Sequence, residues 1–414
     1  MQQSALAKCQ LNELRASLGA TRSSARRLAC VLPALVVALA CRSEPHAGSS
    51  ETRAASASGV AALSPGAPSA ARYGKPGEPV HLVVGYQPYY SEAWSGVIVN
   101  GLGLWKKYLP EGSTVEFQVG LQGSVIVNAM LADKQQIGYL GDTPAIVAAT
   151  KREVADLRIV AHIGASEDQC NVFFVRNDAP PFDGPLDAIR WLDGKTVAVP
   201  KGSCTDRFAR AVFAKQQIQP KEYLNQSVEL ITSGFRARKL DAAVIWEPTA
   251  SRLVADGLAR RVATGKDVGE GDAAFIDMRA DLIAERPDVV AGWLRAELDA
   301  ELYLANPENA REVARLVKSQ TTGFEEPVLW QAIYGRRAAG QAPEVRLTLP
   351  FGFTEQSLEH IRKATSFLYE VKSINVAALP TDAVVTRFAD ELLQERGLSK
   401  PIGQVLALDE AGTR

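Results

Sequence analysis

The chain has 414 residues, 46% apolar and 22% charged, and its 46 basic and 47 acidic side chains leave a formal charge of −1. That length supports two lobes around a large core, while the balanced charge excludes the basic field that nucleic acid or an acidic partner selects. The four histidines, His46, His81, His162 and His360, stand far apart and no HxxxH or CxxC spacing occurs, so neither a metal site nor a bound cofactor is expected.

At the N-terminus, Arg22, Arg26 and Arg27 precede the apolar run LACVLPALVVALA at 28–40. Thirteen residues are too few to span a bilayer and fit the core of a signal peptide. The run ends in VALAC, which resembles a bacterial lipoprotein cleavage site. Residues 1–41 therefore read as a leader and Cys41 as a lipid anchor, with plain signal cleavage as the alternative. Residues 42–79 are rich in Ser, Ala, Gly and Pro and nearly free of large apolar side chains, the composition of a flexible tether. An exported body held to a membrane by a lipid is the first functional expectation. No other stretch is long and apolar enough to cross a membrane.

From Val80 onward, short apolar runs between turn residues predict strands at 81–85, 115–119, 137–140, 157–163, 172–175, 196–199, 228–231, 242–246 and 260–263. Helical stretches fall between them at 97–108, 124–132, 143–149, 187–192, 206–216 and 248–256. This alternation predicts an α/β fold with parallel sheets covered by helices. From about Arg279 the pattern changes to helices only, with apolar residues at three- and four-residue spacing.

In open α/β sheets, ligands sit outside the carboxyl ends of strands, where loops meet helix N-termini. Five loops suit that place: GYQPYYSEAW (85–94), GLQGS (120–124), LGDTPA (140–145), KGSCTD (201–206) and WEPT (246–249). In the fourth, Gly202 permits a tight turn and Ser203 or Thr205 can cap the following helix. Ser124, Thr143 and Thr205 each sit where a helix opens, so hydroxyls and free N–H groups could surround an oxyanion. Tyr89, Tyr90, Trp94 and Trp246 could wall the apolar or amine-bearing remainder of a ligand.

The order GYQPYY, LQGSVIVNAMLADKQQIGYLGDTPAIVAA, GKTVAVPKGSCTDRFAR and LDAAVIWEPTASRLVADG resembles the substrate-binding proteins of ABC importers for nitrate, sulfonates and taurine. That family also includes thiamine-precursor-binding proteins. The resemblance covers 80–284 and implies a two-lobed, type II periplasmic-binding-protein fold. Each lobe would be a mixed, mostly parallel sheet flanked by helices, with a helical C-terminal part. Lobe 1 would comprise 80–171 plus 266–400, lobe 2 would comprise 172–265, and 401–414 would be a tail. It further implies a monomeric, periplasmic, non-catalytic protein that captures a small oxyanion-bearing ligand and serves a permease and an ATPase.

The same resemblance places Gln87, Tyr89 and the adjoining Tyr90 in the first ligand loop, Gly123 and Ser124 in the second, and Gly141, Asp142 and Thr143 in the third. From lobe 2, Ser203, Cys204, Thr205 and Trp246 would close over the ligand. Cys170 and Asn171 lie at the lobe crossing, and Glu247 would cap a helix or meet the permease. Asp142 would repel an anion unless it binds an amine, which makes a taurine-like zwitterion as credible as a plain sulfonate. A nitrate, thiamine-precursor-like or thiophilic ligand is the alternative. A cysteine-dependent enzyme pairing Cys204 with His162, or a ligand sensor without a transport partner, are readings of a different class.

Cys9 and Cys30 fall in the leader, so with Cys41 as anchor only Cys170 and Cys204 remain in the body. In an oxidising compartment that pair is a disulfide candidate, with Cα atoms expected within roughly 7 Å. Two unpaired, small apolar side chains are the alternative.

Overall fold

The computed structural model describes residues 72–335 and 343–408; the leader, Cys41 and most of the expected tether lie outside the described residues. Among the described residues, twelve strands form two mixed sheets flanked by helices. The first sheet holds β1 (His81–Tyr86), β2 (Thr114–Val119), β3 (Ile137–Gly141), β4 (Leu157–Ser166), β10 (Asp272–Arg279), β11 (Val345–Leu349) and β12 (Gly403–Leu406), in the order β12-β11-β4-β10-β3-β1-β2. The second holds β5 (Val172–Arg176), β6 (Thr196–Val199), β7 (Glu222–Asn225), β8 (Ala242–Ile245) and β9 (Ala259–Thr264), in the order β7-β6-β8-β5-β9.

Among the described strands, only the pairs β1/β2, β1/β3, β6/β7 and β6/β8 are parallel. β10 runs antiparallel to β3 and β4, β11 to β4 and β12, and β5 to β8 and β9. The expected parallel majority is therefore corrected. A parallel neighbour needs a crossover connection, usually a helix, whereas the chain passes directly from β4 to β5 and from β9 to β10 with no α-helix between.

Those two passages lie side by side. Asn171 Nδ2 donates to the Glu270 carbonyl at 3.1 Å and Gly265 N to the Asn171 carbonyl at 3.0 Å. A Cβ at Gly265 would stand 1.9 Å from the Glu270 carbonyl oxygen and 2.5 Å from that of Glu167, so only glycine fits there.

Three further expectations change. The run 228–231 belongs to the helix Val228–Arg236, capped by Ser227 Oγ, which accepts from Leu230 N. Its buried residues Val228, Ile231, Thr232 and Phe235 follow helical spacing, a period that a four-residue window cannot display. The neighbouring strand is β7, a polar edge strand. The C-terminal part is not helical throughout, since β11 and β12 complete the first sheet, and β12 falls within the expected tail. Finally, the end of the expected tether is packed. Tyr73 is buried, and the fully buried Arg286 donates to the carbonyls of Tyr73 and Glu78 at 2.6 and 2.7 Å.

Candidate functional site

The carboxyl ends of β1, β3, β6 and β8 and the loop after β2 converge on one small cavity. Its walls include eight of the expected residues: Gln87, Tyr90, Gly123, Ser124, Gly141, Ser203, Cys204 and Trp246. Gln122, Pro144, Lys201 and Gly202 also line it. Three helices open there: Gly123–Leu131, Asp142–Ala149 and Cys204–Gln216. The first two have no side-chain cap, Gln122 and Gly141 standing at the N-cap positions. The first-turn N–H groups and dipole end of the Gly123–Leu131 helix are the natural partners of an anion, whereas in the Asp142–Ala149 helix Thr143 N is already taken by Asp142 Oδ1 and Pro144 has no N–H. Close approach makes this possible, because a Cβ at Gly123 would meet Pro144 Cγ at 2.5 Å.

The third helix is fastened. Gly202 turns the chain with φ +79°, and Ser203 Oγ accepts from Asp206 N at 3.4 Å while donating to the Pro200 carbonyl at 2.6 Å. Asp206 in turn accepts from Gly202 N at 3.0 Å. Cys204 is joined to Cys170 by a disulfide, with Cα atoms 6.7 Å apart. The bridge ties the turn to the passage between the sheets.

The walls also touch each other. Trp246 Nε1, after β8, donates to the Tyr89 carbonyl at 2.8 Å, and the Trp246 and Tyr90 rings meet edge to face at 6.5 Å. Ser91 N donates to the Glu247 carbonyl at 3.1 Å.

The remaining expected residues do not line this cavity. Asp142 is fully buried, and its Oδ2 lies 2.8 Å from both Arg207 Nη2 and His360 Nε2, while Oδ1 accepts from Thr143 N. Burial alone would push its carboxyl up, but Arg207 and His360 hold it well below the usual range. It is no free acceptor for a ligand amine, which corrects that expectation. Thr143 lines a neighbouring cavity of about 320 Å³ with Arg207 and Asp206. The Tyr89 hydroxyl accepts from Thr322 N at 3.0 Å, Trp94 is a core residue bonded to the Pro88 carbonyl, and Thr205 bonds Ser203 Oγ at 2.7 Å. Cys170 and Asn171 are buried in the passage. Glu247 pairs with Arg261 and caps a helix through Ser251 N at 2.8 Å.

The catalytic pairing is likewise dismantled. The Cys204 sulfur is engaged in the disulfide, and His162 is a core residue whose ring nitrogens meet Ser357 Oγ at 2.8 Å and the Gly164 carbonyl at 3.1 Å. Burial pulls the imidazole down to about 3, which leaves it neutral.

Sequence reasoning missed Lys201, the one charged side chain lining the cavity among the described residues. Its Nζ rests over the Tyr223 ring, 5.1 Å from the centroid. Its position beside the Gly202 turn was the available signal.

Two mixed sheets joined by a double passage, with facing loops around a cavity, define a two-lobed α/β architecture. The chain belongs to the NMT1-like family, whose sequence profile matches residues 75–318. It is 29% identical over 219 residues to the taurine-binding periplasmic protein of Escherichia coli (strain K12), a match covering 50% of this chain and 64% of that protein. The chain thus spans less than two thirds of that relative's length. It is 26% identical over 258 residues to the putative aliphatic sulfonates-binding protein of the same strain, covering 61% of this chain and 74% of that one. The alkanesulfonate-binding protein from Xanthomonas axonopodis pv. citri, solved bound to MOPS, shares the fold with a TM-score of 0.62 at 20% identity, over 74% of this chain and 99% of that one. The resemblance to sulfonate- and taurine-binding proteins read from the sequence is borne out by these relatives.

Proposed function

We propose that this chain is the extracytoplasmic binding component of an ABC importer and captures a small organic oxyanion, a sulfonate or taurine-like molecule, between its two sheets. The observation that carries the reading is the uncapped N-terminus of the Gly123–Leu131 helix, which opens on a cavity walled by Tyr90 and Trp246. Oriented N–H groups suit sulfonate oxygens, and aromatic faces suit the organic remainder. Lys201 is the one positively charged side chain lining that cavity among the described residues. The names of the relatives point the same way.

The cavity measures about 20 Å³, little more than one water occupies. Ligand therefore enters with the walls apart, and the lobes 80–171 plus 266–400 and 172–265 separate about the passages at Asn171 and Gly265. The periplasm and a lipid anchor at Cys41 complete the reading, with a permease and an ATPase as partners. Binding rather than catalysis is favoured because neither Cys204 nor His162 is available as nucleophile or base.

The test is a thermal-shift panel of taurine, alkanesulfonates, nitrate, amino acids and pyrimidines, in buffers free of sulfonates. A ligand at a hundred times its Kd adds about 2.7 kcal/mol of stability. A shift confined to neutral pyrimidines would overturn the oxyanion reading.

A further inference from the structure

Tyr90 lines the cavity, and its hydroxyl donates to Glu92 Oε2 at 2.7 Å. Glu92 is fully buried, and its other oxygen accepts from no protein donor. The Ser91–Ala93 turn packs against β10, so that the Glu92 carboxyl neighbours that of Asp272, which is 3% exposed and has no donor on either oxygen among the described residues. Asp272 opens β10 where the chain returns to the first sheet, and one of its oxygens lies within 4.8 Å of both disulfide sulfurs.

Other charges face this pair from each side. Tyr90 comes from its own loop, Asp142 from the Asp142–Ala149 helix, Asp168 from the passage and Arg207 from the Cys204–Gln216 helix. The arginines are already committed: Arg207 to Asp142, and Arg346 to Asp168. Two neighbouring buried carboxyls, with no cation of their own, cannot both ionise. One proton between them supplies the missing donor.

We infer that Glu92 and Asp272 form a proton-holding pair that takes up a second proton when an anion enters the cavity, so that these two residues set the pH range of binding. The inference rests on the oxyanion reading above. An anion beside Tyr90 adds negative charge next to the pair, and a proton from solvent removes the repulsion. Glu92, once protonated, no longer draws on the Tyr90 hydroxyl, which keeps its own proton and turns to donate to the ligand. Asp272 also lines a second cavity of about 800 Å³, the route by which a solvent proton reaches the pair. Burial pushes both carboxyls up, and for Asp272 the neighbouring Glu92 charge adds to it.

The experiment is calorimetric titration of the full chain with taurine and with an alkanesulfonate, in sulfonate-free buffers of different ionisation enthalpy. At a pH where the free pair holds one proton, wild type is expected to take up close to one proton per ligand and, as pH rises, to lose up to about tenfold in affinity per pH unit. Glu92→Gln and Asp272→Asn are expected to bind with a flat pH profile and buffer-independent heats. Buffer-independent heats and a flat profile in wild type would overturn the inference. If neither ligand binds, the oxyanion reading has failed, and the pair is tested without ligand by infrared difference spectroscopy between wild type and each variant. A protonated carboxyl band lost in both variants supports the shared proton; a wild-type spectrum without that band overturns it.

Discussion

The two walls of the cavity are built in opposite ways. On the first-sheet side, the helices Gly123–Leu131 and Asp142–Ala149 open without side-chain caps. On the second-sheet side, the helix Cys204–Gln216 is capped by Ser203, braced by Asp206 and cross-linked through Cys204. The helix Gly123–Leu131 thus keeps its opening N–H groups toward the cavity, whereas the opposite wall is held by its own cap, brace and cross-link. The pair Asp142–Arg207 joins one wall to the other.

Breaking that join is expected to have the largest effect. Asp142→Asn leaves the Arg207 guanidinium, 7% exposed, without its counter-charge, a loss of about 3–5 kcal/mol measurable by urea unfolding. The sign with pH follows from the depressed carboxyl. Its contribution is present above the unfolded value of about 4 and is lost as pH falls below it toward the folded value. Wild type should therefore lose stability faster than Asp142→Asn on acidification; parallel acid profiles would show that the pair adds nothing.

Removing the cross-link comes next. Replacing Cys170 and Cys204 together by Ser opens a loop of 34 residues' separation, worth about 3–4 kcal/mol in the chain-entropy model. Two free thiols in unfolded, unreduced wild type would deny the bridge outright.

Gly123→Ala tests the open wall. Its Cβ would meet Pro144 Cγ at 2.5 Å, so the two helix ends must part, with a loss of about 1–3 kcal/mol and weaker ligand binding in the thermal-shift panel. Unchanged stability and affinity would mean that the close approach is not needed. Ser203→Ala is the smallest change, removing a cap worth about 1 kcal/mol. It should lower the melting temperature slightly while leaving the two open helix ends untouched; a loss of ligand affinity larger than the loss of stability would place Ser203 on the ligand.

Features set by neighbours along the chain were legible from the residues alone. The Gly202 turn and the Ser203 cap are local chemistry, and the loops after β1, β2, β3, β6 and β8 announce themselves by turn residues behind apolar runs. With the motif order, this was enough for the family and the general position of the cleft. What failed was whatever depends on distant partners. Residues 228–231 have the composition of a strand, yet Ser227 and the buried face through Phe235 make them helical. β10 and β11 take their places through antiparallel partners that no local pattern reveals. Asp142 reads as a ligand residue from its loop, but its carboxylate is claimed by Arg207 and by His360, 218 positions away. Glu92 and Asp272 have no motif, and only folding presses their carboxyls together. Turns and caps are governed by nearest-neighbour geometry and survive in the sequence, whereas the charge state and direction of a buried side chain depend on groups that only the tertiary structure brings within a few ångströms.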